Sequence, residues 1–73
     1  MGKLRVLSGQ EVCAILEQHD FRRVRQRSSH VIMQRVTDEG TTTVPVPDHK
    51  ELRMGTLRSI IRQSGVSRSE FEV

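Results

Sequence analysis

Between Arg22 and Arg35 the chain places five arginines, Arg22, Arg23, Arg25, Arg27 and Arg35, in fourteen residues without an acidic side chain, and sets His30 among them directly after Ser28-Ser29. A local charge of about +5 on so short a stretch is the strongest chemical feature of the sequence. Arginine accounts for ten of the twelve cationic residues, and its planar donor fork suits bidentate contact with phosphate better than the point charge of lysine. Histidine is the side chain that exchanges a proton near neutral pH. The combination fits RNA cleavage, in which a 2′-hydroxyl attacks the adjacent phosphodiester. That reaction needs a base at the attacking oxygen, an acid at the leaving oxygen and cations around the developing charge. The plain alternative is a solvated strand face whose charges blunt a sheet edge, with His30 an ordinary strand residue.

Other candidate groups carry less. His49 follows Val44-Pro45-Val46-Pro47-Asp48 and reads as a loop residue bonding the turn rather than as a second proton carrier. His19, at the end of the first helical pattern, reads as a partner of a helix C-terminal dipole. Cys13 reads as a small packing residue, because a nucleophilic thiol needs a base at hydrogen-bond distance and a lowered pKa. As the lone cysteine it forms no internal disulfide, which is consistent with a reducing compartment. Cys13, His19, His30 and His49 match none of the short-range metal-ligand spacings, and phosphate loops and dinucleotide fingerprints are missing. The expectation is therefore no metal and no cofactor.

These groups need a frame, and the composition limits its size. Seventy-three residues, 34% hydrophobic and 29% charged, suffice for one small domain over 1–73 and exclude a multidomain enzyme. The formal charge of +3 favours anionic partners. Without Trp or Tyr, and with only Phe21 and Phe71, the chain lacks the stacking platform that single-strand binders use. Its apolar runs are too short for a membrane span, and Met1-Gly2-Lys3-Leu4 does not resemble a signal peptide, so a cytoplasmic location is expected.

The frame itself is readable. Ser8 and Glu11 form a capping box with Leu7 and Val12 as its staple, and Val12, Ile15, Leu16 and His19 recur at helical spacing, predicting a helix over about residues 9–19. Phe21 to Val46 reads as three strands in a meander, turning at Ser28-Ser29 and at Asp38-Glu39-Gly40, with Pro45 marking the third strand as an edge or as its end. A two-residue turn at Ser28-Ser29 pairs Arg27 with His30 and Arg25 with Ile32, and period-two alternation puts Arg23, Arg25 and Arg27 on one face. Val24, Val31 and Met33 claim one side as core while Ile32, Val36 and Val44 claim the other; a bulge at Gly40 would reconcile part of this. A second helix starts near Gly55-Thr56, capped by one of them, and stops at Gly65. Ser67 and Glu70 repeat the capping-box spacing, with Val66 stapled to Phe71. The result is an α+β chain in the order α-β-β-β-α with a short final helix, its antiparallel sheet covered by helices on one face.

This order of motifs resembles the HicA family of bacterial mRNA-interferase toxins. It runs from the capped first helix through Phe21, Val24 and Ser28-Ser29-His30 to Val44-Pro45-Val46-Pro47-Asp48-His49, then Gly55-Thr56-Leu57-Arg58-Ser59-Ile60-Ile61-Arg62-Gln63-Ser64-Gly65 and Phe71. The most specific pieces are the Pro-x-His step at 47–49 followed by Gly-Thr-Leu-Arg, and the Ser-His step at 29–30. The resemblance implies a double-stranded-RNA-binding-like fold, metal-independent endoribonuclease activity against mRNA and neutralisation by a HicB antitoxin. It also implies a catalytic histidine, which maps onto His30. The family usually has glycine where this chain has Ser28; if that turn requires φ > 0, serine strains it by about 1 kcal/mol.

The leading expectation is thus an endoribonuclease toxin with His30 as general acid/base, Arg23, Arg25 and Arg27 as phosphate ligands and Ser29 as an orienting hydrogen-bond partner. Two other classes stand beside it: a non-catalytic RNA-binding module holding A-form RNA by shape, and an interaction subunit whose basic face docks an acidic protein.

Overall fold

Local chemistry starts the first helix where the sequence puts it. In the computed structural model, which describes residues 2–73, Ser8 Oγ accepts the Glu11 N–H at 3.0 Å and Glu11 Oε1 accepts the Ser8 N–H at 2.8 Å. Met1, the first residue of the expected 1–73 unit, lies outside the described residues. This reciprocal cap opens α1 (Gly9–Glu17), which buries Val12, Cys13 and Leu16. α1 ends before His19 because Asp20 turns left-handed at φ 71 and the Phe21 N–H closes on the Leu16 carbonyl at 3.1 Å. His19 follows the C-cap Gln18 at this terminus, and its Nε2 lies 3.1 Å from Glu70 Oε1.

β1 (Arg22–Arg27), β2 (His30–Thr37) and β3 (Gly40–Pro47) form one antiparallel sheet in the order β1-β2-β3. Val31 pairs with Val46 and Met33 with Val44, and all four are buried in the core against the helices. The β2–β3 register runs unbroken from His30 opposite Pro47 to Thr37 opposite Gly40, so the bulge expected at Gly40 does not form. The irregularity lies in β1 instead, between Arg23 and Arg25, with Val24 as the extra residue. That displaces Val24 from the core side to 45% exposure, and Val44 takes the side opposite to the one its sequence neighbours suggested. Ile32, opposite Arg25 and Pro45, is buried apart from the main core, on the uncovered face, and Val36 is exposed. β3 is an edge strand that continues through Pro45, whose missing donor the open edge tolerates.

α2 (Met54–Ser64) begins at the N-cap Arg53 without a side-chain cap, so Gly55 and Thr56 lie inside its first turn rather than capping it. It buries Leu57 and Ile60 and ends at Gly65, which takes the left-handed φ of 72. The second capping box does not form. In the 3₁₀ helix Arg68–Phe71 Ser67 Oγ takes the Ser69 N–H at 3.4 Å, and the Glu70 carboxylate is drawn to His19. Val66 and Phe71 join Leu4, Leu7 and Leu52 in the same core. The chain is thus α-β-β-β-α, with one sheet face open.

Candidate nucleic-acid interface

His30 is the first residue of β2, held from both sides: Arg27 lies opposite it on β1 and Pro47 on β3. The turn before it is tight, with Ser28 at φ 54, a left-handed position at the first of two central residues. Serine occupies it at a cost in backbone strain that glycine would not carry. A further bond extends the pairing beyond the strands, the Asp48 N–H donating to the Ser29 carbonyl at 2.7 Å. His30 itself is exposed on the open face.

α1 buttresses this end of the sheet. The Gly9 N–H donates to the His49 carbonyl at 2.9 Å, and Gly9 is buried so closely that a Cβ there would overlap the Pro47 carbonyl oxygen. The His49 carbonyl thus anchors the start of α1, and its ring is exposed beside Pro47, Leu52 and Thr56. Next in α1, Gln10 Nε2 donates to Asp48 Oδ1 at 3.0 Å while its Oε1 accepts from Arg23 Nη1 at 2.6 Å.

The arginines do not act as one row. Residues directly opposite each other share a face, so Arg22 (opposite Gln34), Arg25 (opposite Ile32) and Arg27 (opposite His30) belong to the open face, whereas Arg23 (opposite Met33) belongs to the helix side. The bulge at Val24 shifts the alternation by one residue, which is why Arg23 parts from Arg25 and Arg27. Arg23 Nε lies 3.3 Å from Glu17 Oε2. Arg35 is also on the helix side, donating to the His19 carbonyl at 3.3 Å and to the Ser64 carbonyl at 3.0 Å with its guanidinium 4.7 Å from the Phe21 ring centroid. It ties β2 to the ends of both helices. Among the described residues Arg22, Arg25 and Arg27 make no ion pair, leaving three free guanidiniums on the face that carries His30.

The remaining groups are structural. Burial pushes the Cys13 thiol up, disfavouring the thiolate that a nucleophile requires. Bonding to Ser8 holds the Glu11 carboxyl below its ordinary value. Among the described residues no three His, Cys, Asp or Glu side chains gather as metal ligands. A concavity of about 600 Å³ lined by Phe21, Arg22, Val24, Gln34 and Val36 lies toward the other end of β2, so His30 stands on an open surface rather than in that hollow. Gln10 and Asp48 were missed by sequence reasoning; the signal available was Gly9, which marks a close backbone approach at the start of a helix.

A three-stranded sheet with helices on one face and free arginines around a histidine on the other defines a small α+β protein with a basic open surface. Residues 9–66 match the family described as the HicA toxin of bacterial toxin-antitoxin, and the chain belongs to that family. It is therefore a toxin of a toxin-antitoxin system, whose counterpart is an antitoxin. No curated protein matches the chain closely enough to count as a relative. Among the described residues no helix is long and apolar enough to cross a membrane.

Proposed function

We propose that this toxin is a metal-independent endoribonuclease that cleaves mRNA in the cytoplasm, acting as one HicA-like domain over residues 1–73 with His30 as its general acid/base. The observation that carries the reading is the exposed imidazole at the start of β2, opposite Arg27 and on the same face as Arg25 and Arg22. In the proposed step the substrate 2′-oxygen forms a bond to phosphorus as the bond to the 5′-oxygen breaks, leaving a cyclic phosphate and a free 5′-hydroxyl. His30 takes the 2′-hydroxyl proton or delivers one to the departing 5′-oxygen, and water or the RNA serves the other end. Arg25 and Arg27 neutralise the phosphate, Arg23, paired with Glu17 on the helix side, contributes less, and Ser29 orients the substrate from the turn.

The partner follows from the same face. A HicB-like antitoxin silences the toxin most directly by laying an acidic patch over His30 and the β1 arginines, since complementary potentials favour and speed such docking. Binding only at the helical side around Arg58 and Arg62, with His30 left open, would contradict direct occlusion.

The test uses purified toxin, a chelator and an RNA in which the nucleotide before the cleaved bond is replaced by its 2′-deoxy counterpart. Cleavage should survive the chelator and stop at the 2′-deoxy position. Binding without cleavage of any RNA would select a non-catalytic RNA-binding module of the same fold.

A further inference from the structure

Three bonds lead from Arg23 to the backbone beside His30, and Gln10 is the joint. Its amide accepts from Arg23 at 2.6 Å and donates to Asp48 at 3.0 Å, while the Asp48 N–H holds the Ser29 carbonyl at 2.7 Å. A guanidinium only donates and a carboxylate only accepts, so a single orientation of the Gln10 amide satisfies both. The contact also sits where α1 is already fixed, one residue after Gly9, whose N–H is bound to His49. The first turn of α1, the end of β3 and the turn before His30 are thus joined at one point.

We propose that Gln10 is a positioning residue: through Asp48 it fixes the Ser29 carbonyl and with it the orientation of His30 toward the RNA phosphate. The inference rests on His30 being the proton carrier. Gln10 itself touches no reacting atom, so its loss should lower turnover while leaving RNA affinity almost unchanged. A displaced general acid/base is costly because proton transfer needs hydrogen-bond geometry.

The chemistry of the joint supplies its own rescue. Gln10→Glu keeps the acceptor for Arg23 but sets a carboxylate against Asp48. Asp48→Asn alone still offers Gln10 an oxygen and should be nearly silent. Together, Gln10→Glu and Asp48→Asn restore a donor-acceptor pair with its direction reversed. Expected for Gln10→Glu is a kcat about tenfold lower with KM within about twofold. Adding Asp48→Asn should return most of the loss. Amide hydrogen exchange at Asp48 should accelerate in Gln10→Glu and slow again in the double variant, a readout independent of cleavage. A Gln10→Glu toxin with unchanged kcat and Asp48 exchange overturns the inference, as does a loss that Asp48→Asn fails to rescue. If instead His30→Ala cleaves like the unsubstituted toxin, the proton-carrier reading fails, and the exchange data alone decide whether the joint exists.

Discussion

Replacing Ser28 by glycine should stabilise this protein, against the usual direction of glycine substitution. Ser28 is held at φ 54, where an L side chain crowds the following carbonyl at a cost of about 1–2 kcal/mol. Glycine removes that crowding but gives the unfolded chain more freedom, which costs about 0.5–1 kcal/mol. The net gain is about 0.5 kcal/mol, or a rise in Tm of about 2–4 °C for a domain of this size. Ser29, one residue on, is not among the residues with positive φ. Ser29→Gly therefore carries only the entropic cost and should lower Tm. Ser28→Val, β-branched at a left-handed position, should lose at least about 1 kcal/mol. Thermal and urea unfolding followed by far-ultraviolet circular dichroism reads all three. A Ser28→Gly variant less stable than its Ser29→Gly counterpart would refute the left-handed turn and the strain assigned to it.

Gly9→Ala should destabilise the fold by about 1–3 kcal/mol in urea titration, since its methyl group must push the Pro47 backbone away from α1. Because the Ser8 N–H holds the folded-state pKa of Glu11 below its ordinary 4.5, the stability contributed by Glu11 is full above that value and fades as pH falls through the lowered one. The stability gap between the unsubstituted toxin and Glu11→Ala, measured by urea unfolding across pH, should accordingly close on acidification and not on alkalinisation. On an uncleavable RNA, Arg25→Gln and Arg27→Gln should each reduce the slope of log affinity against log salt by about 0.7–1. Arg23→Gln should change it less, because Arg23 is already engaged by Glu17 and Gln10.

The sequence is most informative where a local rule suffices. The Ser8–Glu11 box, the two-residue turn that sets Arg27 opposite His30, and the left-handed Gly65 each depend on a few adjacent residues, and each is present. The faces of β1 were not legible. A single extra residue at Val24 inverts the alternation and leaves Arg23 bonded to Glu17 and Gln10 on α1, a tertiary contact that spacing does not encode. Arg35 shows the same limit: its charge looked equivalent to the others, yet the carbonyls of His19 and Ser64 and the ring of Phe21 claim it for packing. The second Ser-x-x-Glu spacing failed because in a 3₁₀ turn the Glu70 N–H bonds the Ser67 carbonyl, and His19 offered the Glu70 carboxylate another partner. His30 was legible as a candidate from its neighbours in sequence, but not its support from α1 through residues 47–49.

The central claim, proton transfer by His30, is tested most directly by comparing single-turnover cleavage of one RNA by the unsubstituted toxin and by His30→Ala, with circular dichroism and RNA affinity measured on the same samples. The expected result is a rate lower by about 10²–10⁴, with the fold and the affinity largely unchanged and growth arrest abolished in cells. A well-folded His30→Ala toxin that cleaves RNA and arrests growth like the unsubstituted protein would contradict it.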